Sequence, residues 1–280
     1  MIRAVQIGLM AIATMGVCVS SASATTTQAG RLPVEGVTMA LQANTHRASA
    51  ARVIHSLCKS HQHIITRSGI GTHFIIRNDN YGGMRECLTN RNDWSNFTVT
   101  RSSAGGGNGE PVAYPDIFLG CSWGLCSPHS GLPRQVDRLR SLVTTWHTVQ
   151  NAPGQWSVGY DIWFNRTHRV SGQDDGAELM IWLNSKGFSP NRWPVVMVDH
   201  IAWHLAHWVT GPAGKRWNYV QFRRVHATTH VERLNVQPFI RMAERYGFVR
   251  RTWWMTSVEA GFEIWHGGAG LGTTSFWARA

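Results

Sequence analysis

The stretch Glu178-Leu179-Met180-Ile181-Trp182-Leu183-Asn184 decides the fold. Successive side chains of a β-strand point to opposite faces. Leu179, Ile181 and Leu183 therefore share one apolar face, plain core in character. Glu178, Met180, Trp182 and Asn184 share the other, which mixes a carboxylate with large amphipathic groups and is neither ordinary core nor ordinary surface. Ser257 to Trp265 repeats the arrangement, with Val258, Ala260, Phe262 and Ile264 opposite Ser257, Glu259, Gly261, Glu263 and Trp265. Tyr160 to Asn165 does so again, with Asp161, Trp163 and Asn165 opposite Tyr160, Ile162 and Phe164.

Around these strands, alternating segments lie between turn clusters such as Asn78-Asp79-Asn80, Asn151-Ala152-Pro153-Gly154, Gly211-Pro212-Ala213-Gly214 and Gly267-Gly268-Ala269-Gly270. That is the signature of an all-β chain, here a two-sheet sandwich. One stretch departs from it. Asn235 to Tyr246 sets Phe239, Met242, Ala243 and Tyr246 on one side at helical spacing, with Asn235 as cap, Pro238 in the first turn and Gly247 as stop. This predicts one helix lying against the outside of a sheet. A second, short helix is expected near Ala48 to Leu57. No internal repeat is visible.

The N-terminus reads as an export signal over residues 1–24: Arg3, then a mostly apolar run from Ile7 to Val19, then Ala22-Ser23-Ala24 as cleavage site. The run is too short to span a bilayer comfortably, so no membrane association is expected after cleavage. Residues 25–55 read as a leader or linker, and residues 56–280 as the catalytic domain. Cleavage removes Cys18 and leaves Cys58, Cys87, Cys121 and Cys126. An even number in an exported chain favours disulfides over a metal site. Three pairings are open. In one of them Cys121 to Cys126 closes on itself and leaves Cys58 with Cys87.

The charge of +11 raises the question of nucleic acid. The arginines are scattered, and no helix-turn-helix, zinc-finger or phosphate-loop pattern accompanies them, so no nucleic-acid partner is expected. Acidic residues number only 16, so their recurrence on strand faces shared with tryptophan is informative. An exposed glutamate on a strand is usually just solvated, and a single tryptophan is more often core than ligand platform. Carboxylates and tryptophans together, on three strands, instead suggest a sugar-binding cleft. Glycosidic cleavage needs one carboxyl group to protonate the leaving oxygen. It needs a second, ionised, to attack the anomeric carbon or activate water.

The same residues carry a family resemblance. Tyr-Asp-Ile-Trp-Phe-Asn around Asp161, Glu-Leu-Met-Ile-Trp-Leu from Glu178, and Ser-Val-Glu-Ala-Gly-Phe-Glu-Ile-Trp around Glu263 resemble the signature strands of glycoside hydrolase family 12. Ala113-Tyr114-Pro115-Asp116-Ile117-Phe118, Gly120-Cys121-Ser122-Trp123-Gly124 and Ser130-Gly131-Leu132-Pro133 are similar to its bacterial branch. The resemblance implies a β-jelly roll of two curved antiparallel sheets with one packed α-helix. It implies a secreted, monomeric, retaining endo-β-1,4-glucanase that needs neither metal nor cofactor. A hydrolase of xyloglucan or mixed-linkage β-glucan is the alternative within the class, and a non-catalytic carbohydrate-binding protein the alternative outside it. By motif position, Glu178 would be the nucleophile, Glu263 the general acid/base, and Asp161 a neighbour that tunes Glu178. Asn80, Tyr81, Trp123, Met180, Trp182 and Trp265 would contact sugar. The disulfides would be Cys58–Cys87 and Cys121–Cys126. Two departures stand out. Tyr81 replaces the family's tryptophan, and Ser122 its histidine. The roles require a low proton affinity at Glu178 and a raised one at Glu263, with Asp161 protonated and donating to Glu178. Retention requires carboxyls about 5–6 Å apart.

Overall fold

The computed structural model describes residues 53–66, 71–105, 109–189 and 192–280. The expected signal peptide and nearly all of the expected leader lie outside the described residues. The chain begins with β1 (Ile54–Leu57), β2 (His63–Ile65), β3 (Ile75–Arg77), β4 (Glu86–Arg91), β5 (Phe97–Ser102) and β6 (Ala104–Gly105). It continues through β7 (Asp116–Ser122), β8 (Leu125–Cys126), β9 (Arg134–Gln135), β10 (Val143–Gln150), β11 (Gly154–Asn165) and β12 (Ala177–Lys186). Then follow β13 (Val195–Val198), β14 (Ile201–Thr210), β15 (Trp217–Arg224), β16 (His230–Asn235), the helix α1 (Gln237–Arg245), β17 (Trp254–Gly261), β18 (Ile264–Gly267) and β19 (Leu271–Arg279).

Two sheets result. The smaller runs β1-β4-β5-β19-β10-β16, and the larger runs β13-β14-β15-β12-β11-β17-β7-β3-β2. The three strands that decide the fold, β12, β11 and β17, are neighbours in the middle of the larger sheet. Their apolar faces close the sandwich: Leu179, Ile181, Tyr160, Ile162, Val258 and Phe262 are fully buried. Trp146 of the smaller sheet meets Tyr160 at 5.1 Å and Phe262 at 5.8 Å, edge-on and tilted as aromatic quadrupoles prefer. Burying an aromatic ring of this size removes about 150–250 Å² from water, on the order of 4–6 kcal/mol each before entropy.

The architecture is the jelly roll, with three corrections. The sheets are not wholly antiparallel, because β12 and β15 run parallel, with Glu178 beside Tyr219 and Met180 beside Gln221. The hairpin β13–β14 lies between them in sequence and brings β15 back in the same direction. The short helix expected near Ala48 to Leu57 is not formed over Ile54–Leu57. Those residues are β1, paired with β4, so the folded domain starts before residue 56. Residues 48–52 lie outside the described residues.

The third correction concerns α1. Its buried residues are Gln237, Phe239, Ile240, Met242 and Ala243, whereas Tyr246 is 56% exposed. Tyr246 falls where the helix is already unwinding. Phe248 N–H bonds Ala243 C=O and Gly247 N–H bonds Glu244 C=O, a Schellman ending with Gly247 at φ +76°. At the other end Asn235 Oδ1 accepts from the Gln237 N–H, so Asn235 does hold the first turn although the chain turns helical only after Val236. Phe239 packs on Trp203 at 5.0 Å and Phe222 at 5.1 Å, so α1 covers the core side of β14 and β15.

Candidate active site

On the opposite face of the larger sheet, period two lines up a second set of residues. β11 presents Ser157, Gly159, Asp161 and Trp163, and β12 presents Glu178, Met180 and Trp182. In the ladder Trp163 pairs with Glu178, and Asp161 pairs with Met180 on one side and Glu259 on the other. Gly159 pairs with Gly261. A Cβ at Gly159 would meet Trp182 at 2.9 Å, and one at Gly261 would meet Tyr114 at 2.8 Å. Two glycines thus form the floor, and the Tyr114 hydroxyl pins it by donating to Gly159 C=O at 2.9 Å.

Met180, Trp182 and Trp265 form an apolar cluster of their own, separate from the main core, with Phe188 and Tyr219 packed against it. Phe188 meets Trp182 at 5.3 Å and Trp265 at 4.9 Å. A groove of about 890 Å³ continues from this cluster, lined by Gln155, Trp182, Phe188, Trp193, Gln221 and Arg223.

The three expected catalytic carboxyls are each held by one donor. Glu178 Oε2 accepts from the Trp217 indole N–H at 2.7 Å. Glu263 Oε2 accepts from the Ser157 hydroxyl at 2.7 Å. Asp161 Oδ2 accepts from the Trp163 indole at 2.8 Å, and its Oδ1 is buried with no partner. The expected hydrogen bond from Asp161 to Glu178 is therefore not made. The register explains it: Glu178 sits beside Trp163, one diagonal step from Asp161.

All three carboxyls hold protons more tightly than usual. Burial pushes Glu178 up to about 8, opposed by the Trp217 bond and reinforced by Glu263 and Glu259. Burial pushes Glu263 up to about 7, opposed by Ser157 and, to a smaller extent, Trp182. The Trp182 indole lies near enough to favour the charged form, although its N–H makes no hydrogen bond of good geometry. Asp161 is raised by burial and then by Glu178, Glu259 and Glu263, in keeping with a protonated Asp161. The low proton affinity expected for Glu178 is thus corrected: desolvation and like charge act on both glutamates and outweigh a single indole bond.

Glu178 and Glu263 lie far apart by register. Ser157, beside Glu263, is six residues along β11 from Trp163, beside Glu178. A flat strand would separate those levels by roughly 20 Å. Glu263 nevertheless raises the proton affinity of Glu178, so the two carboxyls lie within electrostatic reach of each other. The strands paired with β11 are bulged along this stretch, with one extra residue each at Trp265 of β18, Leu183 of β12 and Thr256 of β17.

The remaining expected contacts divide. Tyr81 is half exposed; partial burial of its hydroxyl, and then Glu263, Asp79, Glu178 and Asp161, oppose its ionisation, so it lies within electrostatic reach of the carboxyls. Asn80 is buried, and its amide donates to Met84 C=O, so it shapes the loop that presents Tyr81. Trp123 is 64% exposed on the β7–β8 turn. The Cys121–Cys126 disulfide closes that turn, and Cys58–Cys87 joins β4 to the chain just after β1.

Residues the sequence reading did not select are Trp217, Ser157, Tyr219, Phe188 and Arg77. Arg77 Nη2 donates to Asp116 at 2.6 Å and to Glu259 at 2.8 Å, and Nη1 donates to Ser122 at 2.9 Å. Glu259 is thereby ion-paired and only 2% exposed, which removes it from direct chemistry. A signal for Trp217 and Tyr219 existed: Trp217-Asn218-Tyr219-Val220-Gln221-Phe222 alternates as the three chosen strands do.

Fold and face together define a jelly-roll glycosidase, with carboxyl groups and aromatic rings gathered on one side of the larger sheet. The chain belongs to glycosyl hydrolase family 12, whose family model matches residues 93–279. Endoglucanase S of Pectobacterium parmentieri is 28% identical over 171 residues, covering 59% of this chain. The match spans 64% of that relative's length. The probable cellulase Cel12b of Mycobacterium tuberculosis is 26% identical over 151 residues, 54% of this chain and 97% of the relative. Among solved structures, the endoglucanase Cel12A of Rhodothermus marinus superposes with TM-score 0.72 at 34% identity, covering 80% of this chain and 98% of that one. A metagenome-derived family 12 endoglucanase gives TM-score 0.73 at 32% identity, covering 81% and 97%.

Proposed function

We propose that the chain is an exported, retaining endo-β-1,4-glucanase with Glu178 as nucleophile and Glu263 as general acid/base. The observation that carries the roles is the difference between the two donors. An indole N–H can only donate, so Trp217 supports Glu178 as a carboxylate. A hydroxyl donates or accepts, so Ser157 serves Glu263 in both protonation states and suits a group that gives and retakes a proton.

In the first step a Glu178 oxygen attacks C1, the C1–O bond to the leaving sugar breaks, and Glu263 hands its proton to the departing oxygen. In the second, Glu263 takes a proton from water, the hydroxide oxygen bonds C1, and the Glu178 carboxylate leaves. Asp161, kept neutral, lets Glu178 ionise beside it without a third negative charge. Tyr81, Met180, Trp182, Trp265 and Trp123 are the proposed sugar contacts, with Asn80 as support for Tyr81.

Reducing-sugar release from a panel of soluble β-glucans tests the substrate, and NMR of the first-formed anomer tests retention. Glu178→Gln should abolish turnover. Glu263→Ala should keep the first step on an activated aryl glycoside and gain turnover with azide, giving the retained glycosyl azide. Azide rescue of Glu178→Gln instead would reverse the roles. N-terminal sequencing of protein from the medium tests export, with a start at Thr25 expected.

A further inference from the structure

The side of the molecule turned away from the cleft carries a second feature. Helix α1 packs inward on Trp203 and Phe222, the core side of the sheet whose other side holds the carboxyls. Outside it, Arg241, Arg245, Arg250 and Arg251 line an open groove of about 610 Å³, with Glu244 as its one acidic lining residue. Arg138 adjoins it, because the Asp137 N–H bonds Arg251 C=O at 3.1 Å. Among the described residues no carboxylate forms an ion pair with any of these arginines.

The helix dipole accounts for a cation in the last turn, as at Arg245. It does not account for Arg250 and Arg251, which lie beyond the helix, nor for unneutralised guanidinium groups gathered in one concavity. Such a cluster repels itself and attracts polyanions. Beside it stands Tyr246, 56% exposed, with one face on Phe248 at 5.5 Å. An aromatic face next to guanidinium forks suits a ring that carries a carboxylate.

We infer that this groove is a docking site for a carboxylated, uronate-bearing polysaccharide. It holds the enzyme on an acidic matrix while the cleft on the other face works on neutral glucan. The second half of that statement rests on the proposed function; the binding does not.

The test uses the full mature chain and polygalacturonate as probe, with affinity measured at low and at about physiological salt. Arg241→Gln/Arg245→Gln/Arg251→Gln should weaken binding roughly tenfold or more at low salt and flatten its salt dependence. Hydrolysis of hydroxyethylcellulose, a neutral polymer, should be unchanged in that variant. Arg85→Gln/Arg91→Gln/Arg101→Gln, an equal loss of charge on exposed strand and loop positions of the smaller sheet's region, should keep most of the affinity. Equal loss in both variants, or full affinity in the first, overturns the site. Tighter binding of duplex DNA than of polygalacturonate, lost in the first variant, also overturns the proposal and makes the groove a phosphate-polymer site. Failure to cleave any β-glucan, with groove-dependent binding intact, counts against the glucanase reading alone.

Discussion

Replacing Trp217 with Phe removes the only side-chain donor to Glu178 among the described residues while keeping an aromatic ring against Trp163, 5.8 Å away. A hydrogen bond to a charged group contributes about 1.5–3 kcal/mol. At about 1.4 kcal/mol per pH unit, its loss should raise the proton affinity of Glu178 by roughly one to two pH units. The starting point matters. Glu178 lies near 8 and Glu263 near 7 in the free protein. In the proposed mechanism the reactive form has Glu178 ionised and Glu263 protonated, the reverse of that order. It is then a minority, roughly one molecule in twenty at pH midway between the two values.

The sign follows from this order. In kcat/KM the acid limb reports the lower value, Glu263, and the alkaline limb the higher, Glu178. Trp217→Phe should therefore move the alkaline limb up by one to two pH units and leave the acid limb in place. Activity should fall about 10- to 100-fold between the limbs and recover toward wild type at high pH, where Glu178 is ionised in both proteins. The assay is kcat/KM on a soluble glucan across pH, with a melting curve to confirm folding. An acid limb that moves while the alkaline limb stays would show that Glu178 holds its proton less tightly than Glu263. That result, or a profile that does not move, would refute the reasoning.

Other outcomes follow from the same contacts. Arg77→Met leaves Asp116 and Glu259 buried without their cation, and should cost about 3–5 kcal/mol, read by denaturant unfolding; a loss under about 1 kcal/mol would contradict it. Glu86 is buried, both of its carboxyl oxygens lack partners, and burial raises it to about 8. Its protonated form is favoured by the fold, so its contribution is full below about pH 4.5 and lost as pH rises through 8. Glu86→Gln should therefore match wild type in melting temperature near pH 4 and exceed it near pH 9. Peptide mapping without reduction should recover Cys58 with Cys87, closing a loop 29 residues apart, a constraint of roughly 3–4 kcal/mol in the chain-entropy picture.

What the sequence disclosed is what local period can disclose. Alternation in β11, β12 and β17 separates Leu179 from Glu178 and Val258 from Glu259 without knowledge of any partner strand, but the run expected from Ser257 to Trp265 is broken at Phe262 and Glu263, between β17 and β18. The partners themselves were not readable. Trp217 reaches Glu178 across 39 residues, through the one parallel pairing in the protein's described strands. Ser157 reaches Glu263 across 106 residues. Glu259 lies on β17 four residues before Glu263, which falls in the break between β17 and β18, and Arg77, 182 positions away, takes Glu259 out of the chemistry. Tyr246 keeps the helical spacing of the buried stripe, but the Gly247 ending unwinds the chain one residue too early to bury it.

The proton affinities of the site were illegible for the same reason. A motif names the two glutamates and their roles, but not the surroundings that set their charge. Burial raises both; Glu178 is raised further by Glu263 and Glu259, and the donors differ, an indole fixed by a parallel strand for Glu178 and a hydroxyl from β11 for Glu263. Substrate changes this balance in a definite direction. A glucan bound over the carboxyls, as proposed, would expel water from around both groups, which favours one shared proton over two charges. The proton then belongs on the carboxyl whose donor can also accept. Ser157 can do so and Trp217 cannot, so closure over substrate should move the proton from Glu178 to Glu263. The catalytic order would then be set in the complex rather than in the free enzyme, and the limbs of kcat should sit farther apart than those of kcat/KM.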